Sequence, residues 1–161
     1  LPDYDNKPVM CDEITITFND PPTPDNHYTV DFTKHDSFSG NYYSTNFICF
    51  DDDVETDYDD DADPTATTSM KYGTLYMNDD QFNGMTKKVV VYIPRYDFQS
   101  NDTINLQFNH ISDNYYKYVR TLNKYMNAEG NPFSEPVQVF SNVNYGAGIF
   151  ALQQRLHYVL D

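Results

Sequence analysis

The chain has 161 residues, a length that suits one domain around one hydrophobic core. Its formal net charge of −15 argues against nucleic acid or an anionic membrane surface as a partner, because both require clustered Lys and Arg. Aromatic residues make up 16% of the chain, with 15 Tyr, 11 Phe and no Trp, and such residues favour strands and wet interfaces. No apolar run approaches the roughly 20 residues of a membrane span. No signal peptide is present and the chain begins at Leu1, so we expect a piece of a longer protein.

Alternating apolar and polar residues predict the first two strands. In "EITITF" (13–18) and "HYTVDF" (27–32) every second residue is apolar, so each strand has one apolar face. The segment between them, "NDPPTPDN", carries three prolines and is predicted to be a connection. Further strands are predicted over 42–50, 71–77, 87–93, 103–110, 137–141 and 147–158, with a hairpin turn at Asn83-Gly84.

Residues 51–63 form an acidic run, "DDDVETDYDDDAD", which holds eight Asp, one Glu and no base. Blocks of like charge repel one another, so residues 51–69 are predicted to form a mobile surface loop. The alternative is a weak calcium site on Asp57, Asp59 and Asp61, which stand at the alternate spacing of calcium loops. The Gly and Glu that such a loop needs further along are missing, which favours the mobile loop.

The cysteines, the histidines and a search for catalytic motifs do not indicate a particular reaction or metal site. Cys11 and Cys49 allow one disulfide or two thiols, and their spacing does not decide between these states. The four histidines lack the spacing of zinc ligands, and neither GxSxG nor GxxxxGK[ST] occurs. Paired carboxylates leave no linear signal, so an enzyme that processes carbohydrate or peptide with two carboxylates is one alternative function. A calcium-dependent carbohydrate-binding or adhesion module is another.

The segment "HISDNYYKYVRTLNKYMNAEG" breaks the strand pattern. Its apolar residues recur at three- and four-residue spacing, which predicts an amphipathic helix over 112–127 with Ser112 as its N-cap. Lys117, Arg120 and Lys124 share one face of this helix. That face is either an ordinary solvated face or a small basic strip on which an acidic partner docks.

The segment "NPFSEPVQVFSNVNYGAGIF" (131–150) is rich in residues that control backbone conformation. Its two prolines predict a stiff, non-helical lead into a strand. In the turn that follows, Ser141 and Asn142 can bond nearby backbone, and Gly146 and Gly148 allow positive φ or close backbone approach. The residues that define the segment are Asn131, Pro132, Phe133, Glu135, Pro136, Ser141, Asn142, Gly146 and Gly148.

These elements predict a mainly β fold. Strands with Pro- and Gly-rich turns and one late helix fit a single antiparallel β-sandwich over residues 1–161, of the immunoglobulin or fibronectin type. The amphipathic helix is inserted before the last strands.

The order "DNYYKYVRTLNKY", "GNPFSEP", "SNVNYGAGIF" resembles the C-terminal part of the Bacteroidota outer-membrane lipoproteins catalogued as domain of unknown function 4249. The resemblance is most specific over 112–150 and extends from about residue 12, including "DDQFNG" at 79–84. It departs at Tyr145, where Gly or a small residue is expected. No catalytic residue is established for the family, so the resemblance implies a non-enzymatic protein without a cofactor.

The resemblance also implies a location and partners. Family members are surface lipoproteins of Gram-negative bacteria, often associated with TonB-dependent barrels in nutrient uptake. We therefore expect an accessory or substrate-capture subunit at the outer membrane, with a barrel as partner and a glycan, peptide or other nutrient as ligand. The lipoprotein signal, the lipidation site and an N-terminal β domain would be missing from this chain. The tripeptide Asp102-Thr103-Ile104 resembles the O-glycosylation site of that phylum, with Thr103 as the acceptor.

Overall fold

The computed structural model describes residues 10–51, 53–58, 72–95, 98–128 and 137–160, without the side chains of residues 57, 58, 72 and 127. These residues form nine strands and one helix, which are β1 (Cys11–Asn19), β2 (His27–His35), β3 (Tyr42–Ser44), β4 (Ile48–Cys49), β5 (Glu55–Tyr58), β6 (Tyr72–Asn78), β7 (Thr86–Pro94), β8 (Thr103–Ile111), α1 (Asp113–Ala128) and β9 (Gln153–Leu160).

The strands form two antiparallel sheets that pack face to face. The smaller sheet has the order β1-β7-β4, and the larger has the order β5-β6-β2-β8-β9, with β3 beside the end of β2. The predicted β-sandwich with one helix before the last strand is therefore confirmed. The two orders match strands B-E-D and C″-C′-C-F-G of a variable-type immunoglobulin domain, although β4, β5 and β6 follow a different order along the chain.

The hydrophobic core lies between the sheets. Tyr28, Val30 and Phe32 of β2 are buried there, as the alternation in that strand predicts. Burying each such side chain contributes about 1.5–3 kcal/mol to stability. The residues of β7 that face them from the smaller sheet are Val89, Val91 and Ile93.

The helix begins and ends within one residue of its predicted bounds. Ser112 is its N-cap, because Oγ of Ser112 accepts a hydrogen bond from N of Tyr115 at 3.4 Å. Tyr116 stacks on His27 of β2, with ring centroids 4.2 Å apart, so α1 packs on the outer face of the larger sheet. This helix has 16 residues, and no helix in the described part of the chain is long and apolar enough to cross a membrane.

The predicted strand 42–50 is two short strands that belong to different sheets. β3 pairs with β2, whereas β4 pairs with β7. The chain crosses between the sheets from Ser44 to Ile48, and the fully buried Phe47 lies at the crossing. A run of strand-forming residues does not reveal a change of sheet, because the strands with which it pairs are distant in sequence. The residues of β3 are exposed, whereas Phe47, Ile48 and Cys49 are buried.

Part of the acidic run is a strand and not a loop. Residues 55–58, within the predicted loop 51–69, form β5 and pair with β6 at the edge of the larger sheet. Thr56 pairs with Leu75 and is buried, so the polar residues of the run take part in the sheet. Residues 59–69 lie outside the described residues.

The hairpin predicted at Asn83-Gly84 is wrong. Gly84 does have a positive φ of 71°, as a tight turn requires, but β6 lies in the larger sheet and β7 in the smaller. The turn instead bonds to the β1–β2 connection, since N of Asp79 donates to O of Asn26 and N of Asp20 donates to O of Met85. It carries the chain from one sheet to the other.

The predicted strand 137–141 is also wrong, and the last strand starts late. N of Phe140 donates to Oγ1 of Thr121 at 2.8 Å, so this backbone group is bonded to α1 and not to a strand ladder. A strand was predicted over 147–158, but its first six residues, 147–152, come before β9. O of Leu152 accepts a hydrogen bond from N of Ser112. β9 begins only at Gln153, opposite Ile111.

Candidate partner-binding surface

Residues 112–152 connect β8 to β9 and contain α1; we call them the insert. In immunoglobulin terms the insert replaces the loop between strands F and G, which is one of the antigen-binding loops of variable domains. The insert exposes several large apolar side chains, among them Tyr145, Phe150 and Leu152.

Hydrogen bonds from Ser141 close the turn at the end of the insert. Its Oγ donates to O of Gly148 at 2.8 Å and accepts from N of Val143 at 3.4 Å. Gly148 has φ 145°, a conformation that side-chain-bearing residues rarely adopt. The predicted roles of Ser141 and Gly148 are therefore confirmed, whereas Gly146 does not have a positive φ.

The side chain of Asn142 pairs with the backbone of Phe150 as a neighbouring strand would. Its Nδ2 donates to O of Phe150 at 2.7 Å, and its Oδ1 accepts from N of Phe150 at 2.8 Å. This pair of bonds holds residues 141–150 in a closed loop with no strand inside it. The remaining predicted residues of the segment, Asn131, Pro132, Phe133, Glu135 and Pro136, lie outside the described residues.

Tyr145 stands at the tip of this loop in a left-handed conformation. Its φ is 62°, and its side chain is fully exposed. A residue with a Cβ pays roughly 1–2 kcal/mol for this conformation, and only Gly adopts it without that cost. The expectation of Gly or a small residue here thus has a physical reason. Residues held in such sparsely populated conformations cluster at functional sites.

Apolar side chains continue from the loop onto β9. Phe150 and Leu152 are 79% and 73% exposed, and Leu156 and Tyr158 are 48% and 52% exposed. We call Tyr145 and these four residues the β9 surface. The sequence does not predict that Leu156 and Tyr158 are exposed, because the alternation in "QQRLHYVL" predicts a strand but not its place at the edge of a sheet.

The core-facing side of β9 is uncovered because the two sheets differ in width. Leu156 and Tyr158 lie opposite Phe108 and Leu106 of β8, which belong to the buried core. The smaller sheet covers β8 but does not extend over β9, so the same face of the larger sheet becomes exposed one strand further along. Side chains suited to a core therefore meet solvent at this edge.

The predicted basic strip on α1 is not a free docking face. Arg120 forms an ion pair with Glu55 and lies over the ring of Tyr76, 5.3 Å from its centroid, so it belongs to the contact between helix and sheet. Lys117 forms an ion pair with Asp113 one turn earlier in the helix, at 2.6 Å. Lys124 is exposed. The structure thus brings two of the three bases onto acidic partners within the chain itself.

The structure does not describe the side chains of the predicted calcium site. Asp57 lies in β5 without a described side chain, and Asp59 and Asp61 lie outside the described residues. Across the described ranges, no group of three or more His, Cys, Asp or Glu side chains is placed to hold a metal.

The two cysteines are not close enough for a disulfide. Cys11 and Cys49 lie on β1 and β4, on either side of β7. Two strands on either side of a third are about 9.5 Å apart, which exceeds the reach of a disulfide. No disulfide joins Cys11 to Cys49.

Asp102 ties two loops together at the other end of the sandwich. Its carboxylate accepts from N of Gln99 at 2.9 Å and from N of Ser37 at 2.8 Å, and Nζ of Lys34 lies 3.6 Å away. These bonds, that of Gln99 first, lower the pKa of Asp102 from 3.8 to about 2. Thr103, the predicted glycosylation acceptor, follows as the first residue of β8 and lies opposite His35, half-buried.

We expect Asp102→Asn to destabilise the protein at neutral pH and to change its acid sensitivity. The folded-state pKa of Asp102 is lowered, so its stabilisation is present above the ordinary pKa of 3.8 and is lost as the pH falls toward about 2. The difference in melting temperature between wild type and Asp102→Asn should therefore shrink over that interval. Asp80→Asn, at an exposed aspartate, is the control; a constant difference for Asp102→Asn would contradict the prediction.

Comparison with protein families gives one description for almost the whole chain. A family model described as "Domain of unknown function (DUF4249)" matches residues 3–157. The resemblance in the sequence is confirmed by this match. No curated protein and no solved structure matches the chain.

Proposed function

Because the chain belongs to the family described as "Domain of unknown function (DUF4249)", we propose that it is a non-enzymatic module of an outer-membrane surface lipoprotein. In this proposal it is an accessory subunit of a TonB-dependent uptake complex and docks on the barrel. The observation that supports docking is the β9 surface, which exposes five large apolar side chains on β9 and on the loop before it.

Two physical properties of the β9 surface favour a protein partner. Exposed aromatic and aliphatic side chains that lie together mark interaction sites, and Tyr and Phe supply large contact areas at low entropic cost. β9 also ends the order of the larger sheet, so no further strand of the described residues pairs with its outer backbone edge. Such an edge can pair with an extended segment of a partner.

The docking proposal is tested by co-purification from the outer membrane in mild detergent, with mass spectrometry of the proteins that remain bound. Full-length wild-type protein should retain a TonB-dependent barrel in stoichiometric amount. Phe150→Glu and Leu152→Glu should each reduce the retained barrel about tenfold or more, because a charge in a desolvated contact costs several times RT. Phe38→Glu should not reduce it, because Phe38 is even more exposed but lies beyond the end of β2 that is far from the start of β9. Loss in all three variants, or in none, would contradict docking through the β9 surface.

Tyr145→Gly should separate stability from binding. Removing the Cβ relieves the left-handed conformation, and no buried contact is lost, so we expect the free energy of unfolding to rise by about 0.5–1 kcal/mol. The same variant should retain less barrel, because the exposed ring is gone. Urea denaturation and co-purification measure the two effects. A variant that is more stable and still retains the barrel fully would show that the strain at Tyr145 serves no docking role.

One cavity in the described part of the chain does not fit the enzymatic alternative. It lies beside β3, has a volume of about 230 Å³ and is lined by Lys34, Tyr43, Ser44, Thr45 and Asn46. This lining has no Asp or Glu, whereas hydrolysis of a glycosidic bond by the common mechanism needs two carboxylates at the scissile bond.

A further inference from the structure

The outer face of β9 carries an arginine, Arg155, that forms no ion pair with a carboxylate of the described residues. Nε of Arg155 donates to Oδ1 of Asn109 at 3.1 Å. With the amide of Gln153 turned so that its oxygen faces Arg155, that oxygen lies 3.0 Å from the same Nε. Both acceptors are neutral amides, and a guanidinium has five N–H groups, so donors remain for another group.

This environment is unusual for a base in so acidic a chain. Five other Lys and Arg residues of the described segments form ion pairs with Asp or Glu, and these are Lys34, Lys87, Arg95, Lys117 and Arg120. Within the same segments no Asp or Glu forms an ion pair with Arg155. Asn109 separates Arg155 from Asp31, because its Nδ2 donates to Oδ2 of Asp31 at 3.3 Å. The guanidinium is therefore held in position with its charge available.

Asn105 adds a buried donor on the same face of the sheet. Its side chain is only 5% exposed, and its Oδ1 lies 3.2 Å from Nε2 of His157. Its Nδ2 is buried and has no hydrogen-bond partner. Such a group destabilises the protein unless an acceptor reaches it, so an unused amide N–H₂ indicates where an acceptor can bind.

The register places these groups in one row. Asn109 lies opposite Arg155, Gln107 opposite His157, and Asn105 opposite Val159, so their side chains share the outer face of β8 and β9. Arg155 and Asn105 stand at the two ends of the row, separated by four residues of strand or roughly 13 Å. A ligand that engages both must be elongated.

We propose that this row of Arg155, His157, Gln107 and Asn105 binds an acidic oligosaccharide. A carboxylate on one sugar pairs with the guanidinium of Arg155, whose planar fork matches carboxylate geometry. A hydroxyl or ring oxygen further along accepts from Nδ2 of Asn105. Amides such as that of Gln107 both donate and accept, which suits hydroxyl groups better than the carboxylate side chains of an acidic peptide, which only accept.

This inference deepens the substrate-capture part of the proposed function but rests on different residues. The β9 surface uses the core-facing side of the strand and the loop before it, whereas the row uses the opposite face. Docking and ligand binding can therefore fail separately.

The test is calorimetric titration of the full chain with trigalacturonate, with the neutral parent trisaccharide and with triglutamate. We expect binding of trigalacturonate, and Arg155→Ala and Asn105→Asp should each weaken it about tenfold or more. Asn105→Asp keeps the acceptor for His157 but replaces the donor with an oxygen. Arg155→Lys should bind with intermediate affinity, because Lys cannot form the bidentate pair. Lys124→Ala, which removes another exposed base, and Phe150→Glu should have no effect.

Four results would overturn the proposal. These are no binding at millimolar trigalacturonate, equal affinity for the neutral trisaccharide, equal or tighter binding of triglutamate, and an equal loss in Lys124→Ala. The last of these would indicate unspecific attraction between charges. Circular dichroism of Arg155→Ala and Asn105→Asp shows that a loss of affinity does not arise from unfolding. Retention of the barrel by Arg155→Ala keeps the outcome separate from that of the docking experiment.

Discussion

Phe47→Ala is expected to lower the free energy of unfolding by about 3–5 kcal/mol, the usual cost of removing a fully buried Phe. Phe47 lies where the chain crosses from β3 in the larger sheet to β4 in the smaller, and its ring centroid is 5.7 Å from that of Phe32. No other residue of the crossing from Ser44 to Ile48 is both aromatic and buried. The cavity left by alanine would open between the two sheets, where neither sheet can move in to fill it without losing strand pairing.

Urea denaturation measures this loss. The midpoint should fall while the slope of the transition stays constant, because the surface exposed on unfolding hardly changes. Phe38→Ala removes the same group from a site that is almost fully exposed and should change stability by no more than about 0.5 kcal/mol. A loss below about 1 kcal/mol for Phe47→Ala would mean that the crossing is not packed as described.

Asp20→Ala is expected to cost about 2–4 kcal/mol, because it leaves two donors without their acceptor. The buried carboxylate accepts from Oη of Tyr28 at 2.5 Å and from N of Gly84 at 2.8 Å. It therefore joins the end of β1 to the core of β2 and to the turn that crosses between the sheets. Burial and the bond to Asp20 raise the pKa of Tyr28, so its hydroxyl remains a donor at neutral pH.

Two further variants make this prediction specific. Tyr28→Phe keeps the ring in the core but removes one of the two bonds, so it should cost about 1–2 kcal/mol, less than Asp20→Ala. Asp80→Ala, at an exposed aspartate in the same turn, should stay within about 0.5 kcal/mol of wild type. Equal losses for Asp20→Ala and Asp80→Ala in thermal or urea unfolding would attribute the effect to charge and not to the two hydrogen bonds.

The fold could be predicted from local patterns where each element keeps one partner. β2 and α1 were found because alternation and helical spacing both continue over the whole element, and Ser112 marks the start of the helix. Prediction failed where partners change along the chain. Residues 42–50 were predicted as one strand although its two ends pair with different sheets, and Asn83-Gly84 has the chemistry of a turn whose flanking strands do not pair. Such choices depend on contacts that are distant in sequence.

The candidate sites were predictable only in part. The loop that carries Tyr145 could be found from Ser141, Asn142 and Gly148, since these residue types bond or permit unusual backbone. The exposure of Leu156 could not, because it depends on the smaller sheet having too few strands to cover β9. The row from Arg155 to Asn105 joins residues on two strands whose register is set by pairing, and no spacing within one strand indicates it.

The insert leaves and re-enters the sheet at a single point. N of Ser112 donates to O of Leu152 at 3.0 Å, and the strands on either side continue directly into the pair Ile111 and Gln153. The loop that carries Tyr145 is also held at both of its ends, because N of Phe140 donates to Oγ1 of Thr121 in α1 and O of Leu152 accepts from N of Ser112. A surface that is fixed in this way before a partner arrives loses little conformational entropy when the partner docks.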